Sequence, residues 1–270
     1  MTVSILMSVY NGEKTLHTAI DSILSQSYQD FEFIICDDAS SDESWQILRD
    51  CAEKDSRIRL IQNERNCGLG ASLNRCLQVA TGKFIARQDA DDISEPDRLE
   101  RTLDYLIRND LPYVGCGVTV FDDTGTWNKR LFPEIITKHI IAQKNPFFHP
   151  TMIFKREVLE LVDGYRVATY TRRTEDYDLV MRLAGKGLIG QNFQEYLYRV
   201  YEPMDAYDRH TVKTRWYEIC TRVYGLRQMR SPIGDYIYLM KPIIMCLIPK
   251  PLIKQIKKIQ WRGKSGGTDT

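Results

Sequence analysis

Net charge of either sign is nearly absent from this chain of 270 residues, in which 37 Lys and Arg stand against 36 Asp and Glu. That balance, with no basic stripe in the first 200 residues, argues against a nucleic-acid binder and directs attention to local clusters. Cysteine is present without pattern. There are seven, an odd number, with no CxxC or metal-ligand spacing, which fits a reducing, cytosol-facing compartment better than a disulfide framework. No apolar run reaches the ~20 residues that a membrane-spanning helix needs. The strongest candidate, residues 236–248, is shorter and is interrupted by Lys241-Pro242. The chain opens directly into an apolar strand, without a basic start, long apolar core and small-residue cleavage site, so a secretory leader is not expected. No GxGxxG follows that strand, which removes the dinucleotide fingerprint.

What is there is an alternation of strand and helix. Residues 3–10 form an apolar run closed by Asn11-Gly12, and residues 13–26 carry Leu16, Ala19, Ile20, Ile23 and Leu24 at helical spacing. A second apolar run, 31–36, stops at Asp37-Asp38; Ser40 and Glu43 then have the spacing of a capping box that opens a helix through about Ala52. The pattern repeats with a strand at 58–61, a helix at 68–80 stopped by Gly82, and a fourth strand entered at Lys83. Such alternation predicts an α/β fold, a mostly parallel central sheet with helices on both faces, because parallel strands need crossover connections.

The fourth strand ends in the densest acidic cluster of the chain, Asp89, Asp91 and Asp92. An apolar strand delivering carboxylates to one rim of a sheet puts them where open α/β sheets bind ligands. Like charges this close call for a compensating cation, and oxygen donors without His or Cys suit Mg²⁺ or Mn²⁺, the former commonly held by one or two carboxylates and substrate phosphates. A solvated loop capping the next helix through Ser94 and Asp97 accounts for the same residues. That helix, 95–108, has Pro96 in its first turn and Leu99, Leu103, Leu106 and Ile107 as its buried face.

Beyond it, 113–121 reads as a strand and 122–125 as a turn. A short helix fits 135–143, a short strand 151–154 after His149-Pro150, and a helix 156–162. Residues 165–174 form a polar, Arg-rich stretch with the character of a mobile loop. Glu175-Asp176 open a helix with Leu179, Val180, Leu183 and Ala184 inward, ended by Gly185 and Gly187. An extended segment at 191–201 and a helix at 211–227 follow. The tail then changes character: Lys250, Lys254, Lys257, Lys258, Arg262 and Lys264 occur with no acid before Asp269, interleaved with Leu252, Ile253 and Ile256. An apolar stretch beside a basic amphipathic one has the composition of an interfacial anchor on an anionic leaflet. A C-terminal helix packed on the domain with a solvated basic end is the other reading, and residues 263–270 are expected to be disordered.

Four motifs in order, Met7-Ser8-Val9-Tyr10-Asn11-Gly12-Glu13, Asp37-Asp38-Ala39-Ser40, Arg87-Gln88-Asp89-Ala90-Asp91-Asp92 and Thr174-Glu175-Asp176, resemble the family-two nucleotide-sugar glycosyltransferases of GT-A fold, of the type that builds bacterial capsule, O-antigen or exopolysaccharide. The resemblance covers roughly residues 3–200 and is without the Gln-x-x-Arg-Trp motif and membrane spans of processive synthases, so it implies transfer of a single sugar. It implies a GT-A domain over 1–230, and the composition of the remainder makes 231–270 the expected membrane-associating tail. It implies that Tyr10, Asn11 and Asp38 hold the nucleotide base, with Asn66 and Gly68 nearby and Asp37 structural. It implies that Asp89 binds the ribose or sugar side, that Asp91 ligates Mn²⁺ or Mg²⁺ bridging the diphosphate with Asp92 as a supporting neighbour, and that Asp176 is the general base of an inverting transfer. His149 is either a diphosphate or acceptor contact or a satisfied turn residue, and Arg172 and Arg173 either grip phosphate or are solvated. The implied partners are a nucleotide-diphosphate sugar donor, a lipid-linked glycan acceptor and the cytoplasmic face of the cell membrane, with no nucleic acid. A nucleotidyltransferase, or an idle nucleotide-sugar-binding scaffold, uses part of the same residues.

Overall fold

The computed structural model describes residues 2–203 and 211–247. Its first half is the expected alternation: β1 (Val3–Val9), α1 (Leu16–Leu24), β2 (Phe31–Asp37), α2 (Ser44–Lys54), β3 (Ile58–Gln62), α3 (Leu69–Val79) and β4 (Phe84–Arg87). These strands pair in parallel in the order β3-β2-β1-β4. Side chains alternate across the sheet, as the two-residue period of a strand requires. Val3, Ile5, Met7 and Val9 of β1, with Phe31, Phe33 and Ile35 of β2, face one core together with Leu16, Ile20 and Leu48. Leu6, Ile34 and Cys36 face the opposite core with Leu73 and Cys76. Both faces are therefore covered, which is why these strands read as continuous apolar runs.

The second half comprises β5 (Ile93–Ser94), α4 (Arg98–Arg108), β6 (Tyr113–Asp122), β7 (Gly125–Arg130), α5 (Lys138–Gln143), a 3-10 turn at His149–Thr151, β8 (Ile153–Lys155), α6 (Arg156–Glu160), α7 (Glu175–Gly185), β9 (Gln191–Tyr201) and α8 (Val212–Met229). It closes with a 3-10 segment, Ile233–Leu239, and α9 (Met240–Leu247). The sheet continues β4-β8-β6-β9-β5, with β7 alongside β6. Here β6 and β9 run parallel while β8, β7 and β5 pair antiparallel with their neighbours. Leu179, Val180, Leu183 and Ala184 of α7 are buried as the sequence predicts.

Several local expectations are corrected. The Ser40–Glu43 capping box does not form: α2 begins at Ser44 with no side-chain cap, because the Ser40 hydroxyl accepts the Asn11 amide at 3.0 Å. The Ser94–Asp97 box is absent as well: Ser94 donates to Gln88 Oε1 at 2.7 Å and Asp97 makes no cap bond. α4 starts at Arg98, so Pro96 precedes the helix. Ile107 is 55% exposed, lying on the outer edge of the apolar stripe. Residues 165–174 are fastened rather than free, Thr171 being buried and its hydroxyl donating to the Arg166 carbonyl at 2.8 Å.

The segment after α8 packs on the domain. Asp235 is buried and meets His139 Nδ1 at 2.8 Å, and Gln143 donates to the Tyr238 hydroxyl at 3.0 Å. Its other side carries Ile233, Ile237, Met240 and Ile244, spaced by three or four residues and 89%, 63%, 46% and 48% exposed. Among the described residues no helix is long and apolar enough to cross a membrane. The basic run from Lys250 and the expected disorder of 263–270 lie outside the described residues.

Candidate active site

The carboxyl ends of β1, β2 and β4 meet at one rim. After β1, Tyr10 is 54% exposed and Asn11 takes a left-handed φ of 53°, a conformation that Asn tolerates better than most residues. Asn11 staples the two turns together: its amide donates to Ser40 Oγ, and its Oδ1 accepts the Ser41 amide at 2.9 Å. Asp37 is buried and accepts from the Ser40 amide and from Gln62 Nε2 at 3.2 Å, consistent with a structural part.

Asp38 is also buried. Its Oδ1 accepts Asn63 Nδ2 at 2.6 Å and the Cys67 amide at 2.8 Å, and its Oδ2 accepts the Gly68 amide at 2.8 Å. The carboxylate thus shapes the loop into α3, where Gly68 has φ 88°, a region glycine enters without steric cost. Asn66 stands exposed just before this clamp.

At the end of β4, Asp89, Asp91 and Asp92 each place an oxygen within 4.8 Å of the others. Their surroundings differ. Asp89 is a third exposed and paired at 2.5 Å with Arg87, a fully buried guanidinium that also donates to the Leu6 and Gln88 carbonyls. Arg98, equally buried, donates to the Arg87 carbonyl at 3.1 Å and lies 5.3 Å from the centre of the Tyr198 ring. Asp92 is buried and accepts the Tyr201 amide at 2.9 Å. Burial first, then the charges of Asp91 and Asp89, hold its carboxyl well above the usual range. The Tyr198 hydroxyl accepts the Asp89 amide at 3.1 Å, so β9 braces the acidic turn. The donor set is all oxygen, with three carboxylates on one short turn and one of them, Asp89, paired with Arg87. It fits a hard divalent cation held by Asp91 with Asp89 beside it.

Asp176 is the second residue of α7. Burial raises its carboxyl above the usual value; the amides of Tyr177 and Asp176 and the side chain of Asn145 oppose this, while the charge of Asp89 adds to it. The helix N-terminus alone would favour the ionised form. Burial outweighs it, which makes Asp176 a stronger base than an exposed N-terminal Asp. The charges of Asp176 and Asp89 both act on the buried Tyr165 hydroxyl, which His149 meets. His149 is buried and its Nε2 meets the Tyr165 hydroxyl at 2.8 Å. Burial, then the charge of Arg87, keeps its ring well below the usual pKa, so it is a neutral residue engaged with a protein partner. Arg172 and Arg173 are exposed, Arg173 at φ 66°.

Residues 4–162 match the family described as "Glycosyl transferase family 2". The chain belongs to that family. It is 42% identical over 95% of its length, and 93% of the relative's, to a protein of Bacillus subtilis named "Putative glycosyltransferase EpsE". It is 36% identical to the Escherichia coli "O-antigen biosynthesis glycosyltransferase WbnJ", over 67% of this chain and 71% of that one. It is 32% identical to the Escherichia coli "UDP-Glc:alpha-D-GlcNAc-diphosphoundecaprenol beta-1,3-glucosyltransferase WfgD", over 58% and 61%. The fold is shared with Staphylococcus aureus TarS in complex with UDP-GlcNAc (TM-score 0.67, 19% identity, 87% of this chain and 72% of that one). It is also shared with a Pyrobaculum calidifontis mannosyltransferase in complex with GDP-Man and Mn²⁺ (TM-score 0.64, 17% identity, 99% and 76%). This family-two chain is thus a glycosyltransferase of GT-A fold.

Four residues of the site were given no role by the sequence, although Arg87 opens one of its motifs. Arg87 and Arg98 sit in an apolar strand end and a helix, and Tyr198 lies in a segment legible only as extended. Asn145 lies in a stretch without clear periodicity; the Asn145-Pro146 pair marked at most a turn.

Proposed function

We propose that this glycosyltransferase moves one sugar, with inversion, from a nucleoside-diphosphate sugar to a hydroxyl of a lipid-linked surface glycan. The observation that carries the reading is that the charge of Asp89, in the acidic turn after β4, acts on the Asp176 carboxyl at the start of α7, and that both act on the buried Tyr165. One carboxylate is there to take a proton and a second group of carboxylates to hold the donor. In the transfer, Asp176 accepts the proton of the acceptor hydroxyl and the oxygen's electron pair forms the new bond to the anomeric carbon. The bond to the leaving diphosphate breaks on the opposite face, and the diphosphate departs with the electron pair of that broken bond.

Asp91, with Asp89 adjacent, would hold Mn²⁺ or Mg²⁺. Such a cation, when bound, supplies positive charge to the diphosphate. Tyr10 and Asn11 border the nucleotide base, the loop set by Asp38 and including Asn66 and Gly68 lines the same end, and Asp89 takes the ribose or sugar side. His149, through Tyr165, shapes the wall between donor and base, and the exposed Arg173 contacts phosphate from the edge. The relatives' names support this reading: WfgD is named for a UDP-Glc donor and a diphosphoundecaprenol-linked acceptor. The exposed Ile233, Ile237, Met240 and Ile244, continuing into the basic tail of 250–264, support peripheral attachment of residues 231–270 to the cytoplasmic leaflet beside a catalytic domain of residues 1–230.

Hydrolysis and binding of UDP-glucose, UDP-GlcNAc and GDP-mannose with Mn²⁺ test the reading. One donor is expected to bind in a metal-dependent manner. Asp91→Ala should abolish that binding, while Asp176→Asn should keep it and lose about 10³-fold in turnover. Binding without turnover of any donor, unchanged in Asp176→Asn, would instead support a scaffold subunit.

A further inference from the structure

We propose that Asn145 is a positioning residue that fixes the Asp176 carboxylate in the orientation from which it accepts the acceptor proton. The proposal rests on the reading of Asp176 as the general base.

Asn145 Nδ2 donates to Asp176 Oδ2 at 2.8 Å. The amide has one orientation open to it, because its Oδ1 accepts the Phe147 amide at 3.2 Å. Reversing it would turn an NH₂ toward that N–H and the carbonyl toward the carboxylate. The backbone around it is equally held. Pro146 follows and confines Asn145 to extended conformations. The Pro146 carbonyl accepts the buried Asn192 Nδ2 at 3.0 Å. Upstream, Arg222 Nη1 donates to the carbonyls of Ala142 and Gln143 at 3.2 Å each. A donor on so fixed a loop restrains the Asp176 carboxylate from rotating away from the reacting hydroxyl.

The residue type matters too. Asparagine offers an N–H without a charge or a labile proton, so it orients the carboxylate while taking less from its basicity than Lys or Arg would. Near-attack geometry is sensitive to displacements of about 1 Å, which can cost 10²-fold in rate. A restraint of this kind therefore acts on turnover while leaving donor binding alone.

The test uses the full chain with Asn145→Ala, Asn145→Asp and Asp176→Asn. The Asp176 carboxyl is followed by ¹³C NMR titration, its resonance assigned by its loss in Asp176→Asn. Hydrolysis of UDP-glucose and UDP-GlcNAc with Mn²⁺ is followed against pH, and UDP affinity by calorimetry. Asn145→Ala is expected to raise the Asp176 midpoint by about one unit, because a hydrogen bond to the charged form is lost. Its hydrolysis should fall about 10-fold to 100-fold, with UDP affinity within about twofold. Asn145→Asp keeps the acceptor for the Phe147 amide and so preserves the loop, and is expected to raise the midpoint further through like charge. An unchanged midpoint in both Asn145 variants overturns the proposal. Unchanged hydrolysis in Asp176→Asn overturns the base assignment itself, a result separable from the first.

Discussion

The two halves of the molecule build their share of the site by opposite means. In the first, residues 3–92, four parallel strands in the order β3-β2-β1-β4 each end in a short turn, and the functional positions are the residues of those turns. Tyr10, Asn11, Asp38 and Asp89–Asp92 are on the rim because the strand before each of them ends there. In the second half no single turn supplies the base. Asp176 opens α7, Asn145 reaches it from 31 residues upstream, and α8 holds both through Arg222 and Thr221. A parallel layer sets a rim by repetition, whereas a mixed layer sets a pocket by convergence. Damage to the buried clamps of the first half should therefore appear as lost stability, and damage to the contacts that converge on α7 as lost turnover.

The largest stability effect is expected from Asp38→Ala, which strips the acceptor from Asn63 and from the Cys67 and Gly68 amides. Leaving such groups unsatisfied should cost about 3 kcal/mol in urea unfolding. A loss below about 1 kcal/mol would show that the clamp does not organise this half.

Glu32 sharpens the same point through pH. Its carboxylate is buried and accepts from Ser4, from the amide and hydroxyl of Thr81, and from Arg59. These donors overcome burial and hold it at about 2 against an ordinary 4.5. A depressed pKa gives stability that is full above the unfolded value and lost as pH falls from about 4.5 to about 2. The native chain should lead Glu32→Gln by about 2 kcal/mol at pH 7, a lead that shrinks across that acidic interval. A difference that is flat with pH would mean that the fold leaves the Glu32 pKa at its unfolded value and that these donors do not depress it.

In the second half, the Thr221 hydroxyl is buried, donates to the Tyr170 carbonyl at 3.1 Å and meets Thr174 Oγ1 at 2.8 Å, directly before α7. Thr221→Val should cost about 1 kcal/mol of stability but lower turnover by about 10-fold, since it loosens the start of the base helix. Equal losses in both would erase the contrast between the halves. The smallest effect is expected at Ile107, 55% exposed, where Ile107→Ser should change urea stability by less than about 0.5 kcal/mol.

How far the chain could be read without its structure follows the same division. The strands of the first half were legible because burial on both faces makes them continuous apolar runs. Their turns were legible because Asn-Gly and acidic clusters interrupt those runs. Capping was misread at Ser40, where spacing alone suggested a local partner. Its hydroxyl is claimed by the Asn11 amide, 29 residues away, and spacing holds no information about such a competitor. The boundary of the apolar face of α4 was misjudged at Ile107, since a helical period identifies a stripe more firmly than its edge. β7 was hidden because its residues alternate weakly and, among the described residues, it pairs with β6 alone. Asp176 was legible as an acid at a helix start. That its carboxyl lies above the ordinary range was not, because this depends on burial against segments remote in sequence.

The sequence by itself determined the alternating α/β plan, the family and the acidic turn after β4, since these follow from period, turn chemistry and residues adjacent in the chain. The tertiary structure alone decided how those carboxylates differ. It pairs Asp89 with Arg87, isolates Asp92 under Tyr198 and Tyr201, and brings Asn145 to Asp176. Electrostatic environment is set by distances across space, and a linear order of residues does not contain them.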